Sequence, residues 1–246
     1  MRRDILEAFS KELTKQLKPF DKTTTKNHTV YKAKNSKTTL VLYPGFGTDA
    51  TYTNKEFNVL TAAAANSISV LMMNFNNQIY LKDSTALRLG KELEKVIAEH
   101  KLNKENVFIG GFSSGGNVAL NVSNQLVKNK SNSKPNGIFI VDSPIDLNLL
   151  YQNSKEDVAN PDFDENRLAE SRFVINYFEK GLGKDSVLQK ILMASPFSLD
   201  SNVNSLPYLK NLHLRFYTEP DSMWWQKNRQ TKYENTNAAR IIALTE

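Results

Sequence analysis

Residues 107–120 read VFIGGFSSGGNVAL, and the rest of the chain is best interpreted outward from this stretch. Its first six residues are an apolar run typical of a buried strand, and an apolar helical pattern follows Gly115. The spacing Gly111-x-Ser113-x-Gly115 between them predicts a bend so tight that Ser113 takes strained dihedral angles, which only small flanking residues allow. We therefore expect the Ser113 hydroxyl to be exposed at the C-terminal edge of a sheet.

A serine in this position suits nucleophilic chemistry, because the N-terminus of the following helix offers unpaired N–H groups and a favourable dipole to an oxyanion. Two other interpretations are a glycine-rich turn with a chemically idle Ser113 and a phosphate-binding loop. The segment has no lysine and no G-x-G-x-x-G spacing, which disfavours the phosphate-binding loop. The idle serine stays open as an alternative.

A second glycine-flanked turn lies upstream, at the end of the apolar run in residues 38–48 (TTLVLYPGFGT). Acyl transfer develops negative charge on a carbonyl oxygen, so a second backbone N–H must converge with that of Ser114. Phe46, between Gly45 and Gly47, is the natural candidate for this second donor. The alternative is an ordinary turn that ends a strand.

Short apolar runs rich in β-branched and aromatic residues alternate with longer helical patterns along the chain. This alternation is typical of an α/β protein with a mostly parallel sheet flanked by helices on both faces. We predict a helix over residues 84–100, opened by a cap at Ser84, and another helix after Gly115. A hairpin is predicted at Asn35 and Ser36. The predicted strands are residues 28–34, 38–43, 69–75, 107–112, 137–142 and 213–218.

Residues 146–195 interrupt this alternation with acidic, Asn-rich sequence and then a helix that begins near Glu165 and is broken by Gly181 and Gly183. The segment is far longer than the roughly dozen residues that a simple crossover needs. We therefore expect a helical, lid-like insertion over one end of the sheet, within a single domain spanning residues 1–246. Its acidic residues fit no calcium-loop spacing and are interpreted as a solvated loop; these are Asp157, Asp162, Asp164 and Glu165.

The composition limits the classes of function. The chain has 246 residues, enough for one domain with a full core. Its formal charge of +6 comes from the first 40 residues, which hold ten basic and four acidic groups, because the remainder holds 22 of each. A neutral body argues against a nucleic-acid-binding face. The sequence has no cysteine and only three histidines, so we expect no thiolate chemistry, no metal site and no cofactor.

Residues 1–17 (MRRDILEAFSKELTKQL) begin like a signal peptide, but charged residues interrupt any apolar segment. Apolar residues at helical spacing instead predict an amphipathic helix that docks on the domain's own surface, in preference to a membrane or a partner. No run in the sequence reaches the roughly 18 apolar residues of a membrane span. Without an export signal, the cytoplasm is the default expectation for the compartment.

From residue 28 onward the chain resembles the α/β-hydrolase superfamily of serine esterases, lipases and peptidases. The resemblance rests on the turn YPGFG at 43–47, the bend GFSSGG at 111–116 and the segment YTEPD at 217–221, which occur in the family's order. It implies a triad of nucleophile, acid and histidine. The implied residues are Ser113 as nucleophile, Phe46 and Ser114 as oxyanion donors, and Asp221 as the acid, with Glu219 and Asp142 as alternative acids.

The family's histidine follows the acid, on the loop beyond the last strand, and no histidine follows His213 in this sequence. His28, His100 and His213 are each expected too far from Ser113 to take its proton, since a general base must come within about 3 Å. Two explanations stay open. We favour a chain truncated before its last strand, because the sequence ends inside an apparent helix; the other is a protein that has lost its base. Either predicts negligible esterase activity.

These observations predict a serine hydrolase, or a fragment of one, that acts on a carboxylic ester or related small-molecule acyl substrate through an acyl-enzyme on Ser113. The alternative is a non-catalytic module of the same fold that binds a ligand or a protein. Trp224 and Trp225, just past the expected acid, are candidates for a wall of the substrate pocket, with ordinary loop packing as the alternative. No oligomeric state is predicted.

Overall fold

The computed structural model describes residues 19–75, 77–199 and 206–245. The amphipathic helix predicted for residues 1–17 lies outside the described residues. Within them, one mostly parallel sheet carries helices on both faces, which confirms the predicted fold class. None of the helices in these described ranges is long and apolar enough to cross a membrane.

The sheet has seven strands. They are β1 (Phe20–Thr24), β2 (His28–Ala33), β3 (Thr39–Tyr43), β4 (Ser69–Met73), β5 (Val107–Phe112), β6 (Gly137–Val141) and β7 (His213–Tyr217). Their order across the sheet is β1-β2-β4-β3-β5-β6-β7. Strands β3 to β7 run parallel to one another, whereas β2 is antiparallel to both β1 and β4.

Nine α-helices lie in the described ranges. They are α1 (Ala50–Phe57), α2 (Val59–Ala65), α3 (Asp83–Glu99), α4 (Ser114–Lys128), α5 (Leu147–Ala159), α6 (Glu165–Leu182), α7 (Val187–Ala194), α8 (Ser222–Arg229) and α9 (Asn237–Thr245). Each connection between parallel strands therefore contains a helix, as a parallel crossover requires.

The central strands are largely buried on both faces because most of their side chains are apolar. Val41 and Ile109 pack on one face against α3 and α4. Leu42 and Val70 pack on the other face against α1 and α2. Two hydrophobic layers therefore hold β3 and β5 in place, and the loops at the carboxyl ends of these strands stand on a rigid support.

The predicted hairpin at Asn35 and Ser36 is wrong. The two strands it joins are not paired, because β4 lies between them, antiparallel to β2 and parallel to β3. Asn35 does form a tight turn, with a φ of 53°. The turn instead leads the chain to β3, which lies two positions from β2 in the sheet. Strand β3 is apolar on both faces and is buried between its parallel neighbours β4 and β5.

The remaining differences from the predicted elements are local. Strand β1 is mostly polar and exposed, and its sequence carries no alternating apolar pattern that predicts a strand. Helix α3 begins at Asp83, and its N-cap residue Lys82 makes no side-chain cap, so the predicted cap at Ser84 is wrong. A carboxylate in the first turn stabilises this helix end through the helix dipole instead.

The 146–195 segment contains three helices, α5, α6 and α7, around a shared apolar cluster. The helix predicted from about Glu165 is present, whereas α5 was not apparent from its acidic sequence. Asp146 and Asp164 accept hydrogen bonds from backbone N–H groups at the starts of α5 and α6. Asp157 pairs with Arg167, with 2.6 Å between Oδ1 and Nη2, so part of this acidity serves internal contacts.

Candidate active site

Ser113 is the one residue between β5 and α4, and its backbone is strained. Its φ of 51° and ψ of −129° lie in a region that residues with a side chain rarely adopt, at a cost of about 1–3 kcal/mol. Two backbone hydrogen bonds of 2.9 Å hold it there: Ser113 N donates to Val141 O, and Gly116 N donates to Ser113 O. The predicted strand, bend and helix are therefore confirmed.

The flanking glycines are required by close backbone contacts. A Cβ atom at Gly111 would lie 2.1 Å from the carbonyl oxygen of Gly115. A Cβ atom at Gly115 would lie 2.3 Å from the carbonyl oxygen of Tyr43, in the strand next to β5. Both contacts are with backbone, which cannot swing aside, so only glycine fits at these two positions.

Ser113 is exposed and lines a cavity of about 800 Å³. The cavity lies at the carboxyl ends of β5 and β6, between the turn after β3, helix α1 and the helices of the 146–195 segment. Much of its wall is aromatic, with Phe46, Phe57 and Phe173 from these three elements. Its size and largely apolar wall suit a small organic ligand.

The two expected oxyanion donors, Phe46 and Ser114, both line this cavity. Ser114 is the first residue of α4, so its N–H has no partner within the helix. Phe46 lies in a tight turn, in which Thr48 N donates to Gly45 O at 3.1 Å. The structure thus brings both residues to the same space as the Ser113 side chain.

Of the three candidate acids, Asp142 is the one that lines the cavity with Ser113. It follows β6 directly, has a φ of 45°, and its Oδ1 accepts a hydrogen bond of 3.3 Å from Thr218 Oγ1. Burial raises the pKa of Asp142, and the hydrogen bonds from Thr218 and Asn237 oppose this rise. Asp142 thus lines the same cavity as Ser113, and its raised pKa makes it more basic than an ordinary aspartate.

Asp221 and Glu219 are exposed and lie outside the cavity wall. Asp221 is the N-cap of α8, where its Oδ1 accepts a hydrogen bond of 2.9 Å from Trp224 N. Glu219 Oε1 accepts from Asp221 N at 3.1 Å. Both carboxylates are therefore engaged in ordering the start of α8.

Trp224 and Trp225 also lie outside the cavity wall. Their rings meet edge to face with centroids 5.2 Å apart. The indole N–H of Trp225 donates to the carbonyl oxygen of Glu219 at 2.9 Å. The two side chains therefore contact each other on helix α8, which follows β7.

All three histidines of the sequence lie in the described ranges, and none lines the cavity. His28 and His100 contact each other, and His213 is exposed at the start of β7. Within the described part of the chain, Ser113 therefore has no imidazole partner. Of the titratable residues considered for the triad, Asp142 lines the same cavity as Ser113.

Sequence reasoning missed several polar residues of the cavity wall, among them Glu56 on α1, Glu170 on α6 and Asn237 at the start of α9. Each lies in a helix far along the chain from Ser113, and nothing in the local sequence marks it. The described wall includes three acidic residues, Glu56, Asp142 and Glu170, and no lysine, arginine or histidine. The part of the wall that the structure describes therefore carries acidic side chains and no basic ones.

Several solved structures share this architecture at low sequence identity. The hyperthermophilic esterase from the archaeon Pyrobaculum calidifontis matches with a TM-score of 0.52 and 15% identity, over 88% of this chain and 82% of that one. Carboxyl esterase 2 from the mycorrhizal fungus Tuber melanosporum matches with a TM-score of 0.51 and 14% identity, over 81% and 76%. At these identities the likeness is one of fold.

A third match is a chain of the Glycosylation Associate Protein (Gap123) complex from Streptococcus agalactiae, with a TM-score of 0.51 and 13% identity. It covers 93% of this chain and 39% of the streptococcal chain, so this chain spans about two fifths of that length. No protein-family model matches the sequence, and no curated protein matches it either.

Proposed function

We propose that this chain, which has the α/β-hydrolase fold, is a serine hydrolase acting on a carboxylic ester or related acyl substrate. The observation that carries the proposal is the strained, exposed Ser113 at a glycine-enclosed bend that opens into a cavity. A backbone strain of about 1–3 kcal/mol persists only where the surrounding structure enforces it, and strain of this kind clusters at functional sites.

The proposed reaction is acyl transfer through Ser113. Its Oγ attacks the carbonyl carbon of the ester, the hydroxyl proton passes to solvent water because no imidazole lines the described wall, and negative charge develops on the carbonyl oxygen. The backbone N–H groups of Phe46 and Ser114 are the proposed donors to that oxygen. Collapse of the intermediate breaks the bond to the alcohol, which leaves with a proton, and water then releases the acid from Ser113.

We assign the acid role to Asp142 in preference to Asp221, because Asp142 lines the cavity and its pKa is raised by burial. No histidine lines the described wall, so proton transfer from Ser113 is inefficient and turnover is slow. Attack of Ser113 on a strongly electrophilic phosphorus reagent needs the same proton transfer, so we expect labelling that is specific for Ser113 but slow. The oxyanion donors and substrate binding alone retain about 10³–10⁴-fold catalysis over water in serine hydrolases that lack a triad member.

The test is labelling with a fluorophosphonate probe, followed by mass-spectrometric mapping. We expect the label on Ser113 and none on the Ser113→Ala variant. Ser67→Ala is the matched control, because Ser67 is also exposed and has a φ of 52° but lies outside the cavity. An unlabelled Ser113, or equal labelling of Ser113→Ala, contradicts the proposal.

A non-catalytic binding module is the second candidate, and the lack of a histidine in the described wall favours it. Hydrolysis of p-nitrophenyl acetate separates the two functions. A slow turnover that Ser113→Ala removes supports the hydrolase. Binding of the ester with turnover identical in the parent chain and in Ser113→Ala supports the binding module.

We further propose that the helices of the 146–195 segment form a lid that sets substrate size. Leu150, Phe173 and Val174 of this segment line the cavity. The ring of Phe173 lies 5.3 Å from that of Phe46, so the segment packs directly on the proposed oxyanion turn. Phe173→Ala should shift the preferred acyl chain of p-nitrophenyl esters to a longer one, and an unchanged preference argues against the lid.

A further inference from the structure

Two histidines that the proposed reaction does not use lie against each other. The Nε2 atoms of His28 and His100 are 3.3 Å apart, and the ring planes are inclined at 80°. His28 begins β2, and His100 is the C-cap of α3. The two residues are 72 positions apart in the sequence, and neither lines the cavity at Ser113.

We propose that His28 and His100 form a two-imidazole site for a divalent transition-metal ion of the zinc or nickel class, bound through both Nε2 atoms. Two metal–nitrogen bonds of about 2.1 Å that meet at a tetrahedral angle hold their nitrogens about 3.4 Å apart. The observed separation of 3.3 Å, which is also within hydrogen-bonding distance, is close to this value. Imidazole nitrogen is a preferred ligand of these metals.

A neighbouring hydroxyl orients the His28 ring. Thr25 Oγ1 lies 3.2 Å from His28 Nδ1. The same oxygen accepts from the backbone N–H groups of Asn27 and His28, at 3.2 and 3.1 Å, so its own position is fixed. With Nδ1 turned to Thr25, Nε2 of His28 is directed away from Thr25 and toward His100, as in metal sites whose outer partners orient the histidine.

The electrostatic surroundings also suit a cation. Glu92 and Glu99, both on α3, act on His28 with negative charge. No group of three or more acidic or histidine side chains in the described ranges could hold a metal, so the two imidazoles are the protein ligands of the proposed site.

The site links the start of β2 to the end of α3. These two parts of the fold also meet through a hydrogen bond of 3.1 Å from Asn27 Nδ2 to Glu92 Oε1 and through the apolar cluster that Val30 shares with α3. A bound metal would clamp β2, and through it the edge of the sheet, to the end of α3. Because the unfolded chain holds its histidines apart, the metal binds the native state preferentially and stabilises it. The readout is therefore stability and binding, independent of any activity at Ser113.

The experiment is zinc titration at pH 7.5 by calorimetry, together with thermal melts in zinc, in magnesium and in EDTA. We expect one zinc ion per chain and a higher Tm in zinc alone. His100→Gln should abolish binding, and His28→Gln should do the same. Loss of the orienting hydroxyl in Thr25→Val should weaken binding about 10- to 100-fold.

The control is His213→Gln, which removes an exposed histidine outside the pair and should bind zinc like the parent chain. His28 is buried, so His28→Gln is also checked for folding by circular dichroism, and His100→Gln tests the site independently. Zinc binding that survives both single substitutions overturns the proposal. So does the absence of any zinc binding, which would leave the rings joined by a simple hydrogen bond.

Discussion

The backbone N–H of Ser113 donates a hydrogen bond of 2.9 Å to the carbonyl oxygen of Val141. This bond extends the pairing of β5 and β6 by one residue, from the last strand residue Phe112 into the bend. One residue after Val141, the N–H of Asp142 donates to Tyr217 O at 2.8 Å. The ends of β5, β6 and β7 are thus bonded in series, which holds Ser113 and Asp142 at one cavity with both at positive φ.

The strain at Ser113 predicts that glycine is the more stable residue at this position. Because glycine adopts positive φ without a side-chain penalty, Ser113→Gly should unfold with a free energy about 1–2 kcal/mol higher than that of Ser113→Ala. Urea denaturation of the two variants measures the difference. Both variants lack the hydroxyl, so the difference in their free energies of unfolding reports the backbone strain alone. Neither variant should react with the fluorophosphonate probe.

If Ser113→Ala is as stable as Ser113→Gly, the backbone at this bend is not strained in solution. The main support for a functional serine is then lost.

The contact between Gly115 and β3 predicts that Gly115→Ala is destabilising. The added Cβ would meet two carbonyl oxygens, those of Tyr43 and Pro44, at 2.3 and 2.4 Å. We expect the free energy of unfolding to fall by about 1–3 kcal/mol or more, as in other overpacked sites. Urea denaturation measures this change.

Gly90→Ala is the matched control, since Gly90 lies inside α3 and its added Cβ would meet only the end of the Leu126 side chain, at 3.3 Å. Alanine also favours helix over glycine by about 0.5–1 kcal/mol, so this variant should be close to the parent chain or slightly more stable. Equal effects of the two substitutions would argue against the close packing of the bend.

The buried His28 predicts a stability that falls at mildly acid pH. Its pKa is lowered, chiefly by burial and then by His100, whereas the unfolded residue titrates near the ordinary 6.5. Below pH 6.5 the unfolded state therefore binds a proton that the folded state does not. This contribution to stability is complete above pH 6.5 and is lost as the pH falls, by at most about 1.4 kcal/mol per pH unit.

Urea midpoints in EDTA at pH 7.5 and 5.5 measure this effect. His28→Gln should flatten the dependence over this range, and His213→Gln, which alters an exposed histidine, should not. A parent chain whose stability is the same at both pH values contradicts the prediction.

The acids of the cavity wall predict a preference for positively charged ligands. Glu56, Asp142 and Glu170 attract a cation, and the faces of Phe46 and Phe173 add cation–π attraction. Phenyltrimethylammonium should therefore bind more tightly than benzoate, measured by ligand-observed NMR. Glu170→Gln should weaken phenyltrimethylammonium about threefold, as expected for one charge roughly 6–7 Å away in a solvated cavity.

Glu105→Gln is the control for net charge, since Glu105 is exposed in the loop before β5 and lies outside the cavity wall. It should leave both affinities unchanged, and added salt should reduce the preference of the parent chain. Tighter binding of benzoate than of phenyltrimethylammonium would contradict the prediction.

The local elements were predictable because their causes are local. The strand, bend and helix around Ser113 follow from an apolar run, two glycines and an apolar helical pattern within 14 residues. The alternation of such runs likewise indicates a parallel sheet with helices on both faces. Strand pairing was harder, because β2 and β3 are adjacent in sequence but separated by β4 in the sheet.

The grouping of side chains around the site was decided by tertiary structure. Asp142 shares the cavity of Ser113 because β6 is the neighbour of β5, whereas Asp221 caps a helix in the loop region beyond β7. His28 and His100 meet at 3.3 Å although 72 residues separate them, so a count of histidines could not anticipate the pair. Local sequence determines which residues can bend, pair or ionise; the packing of distant segments determines which of them meet.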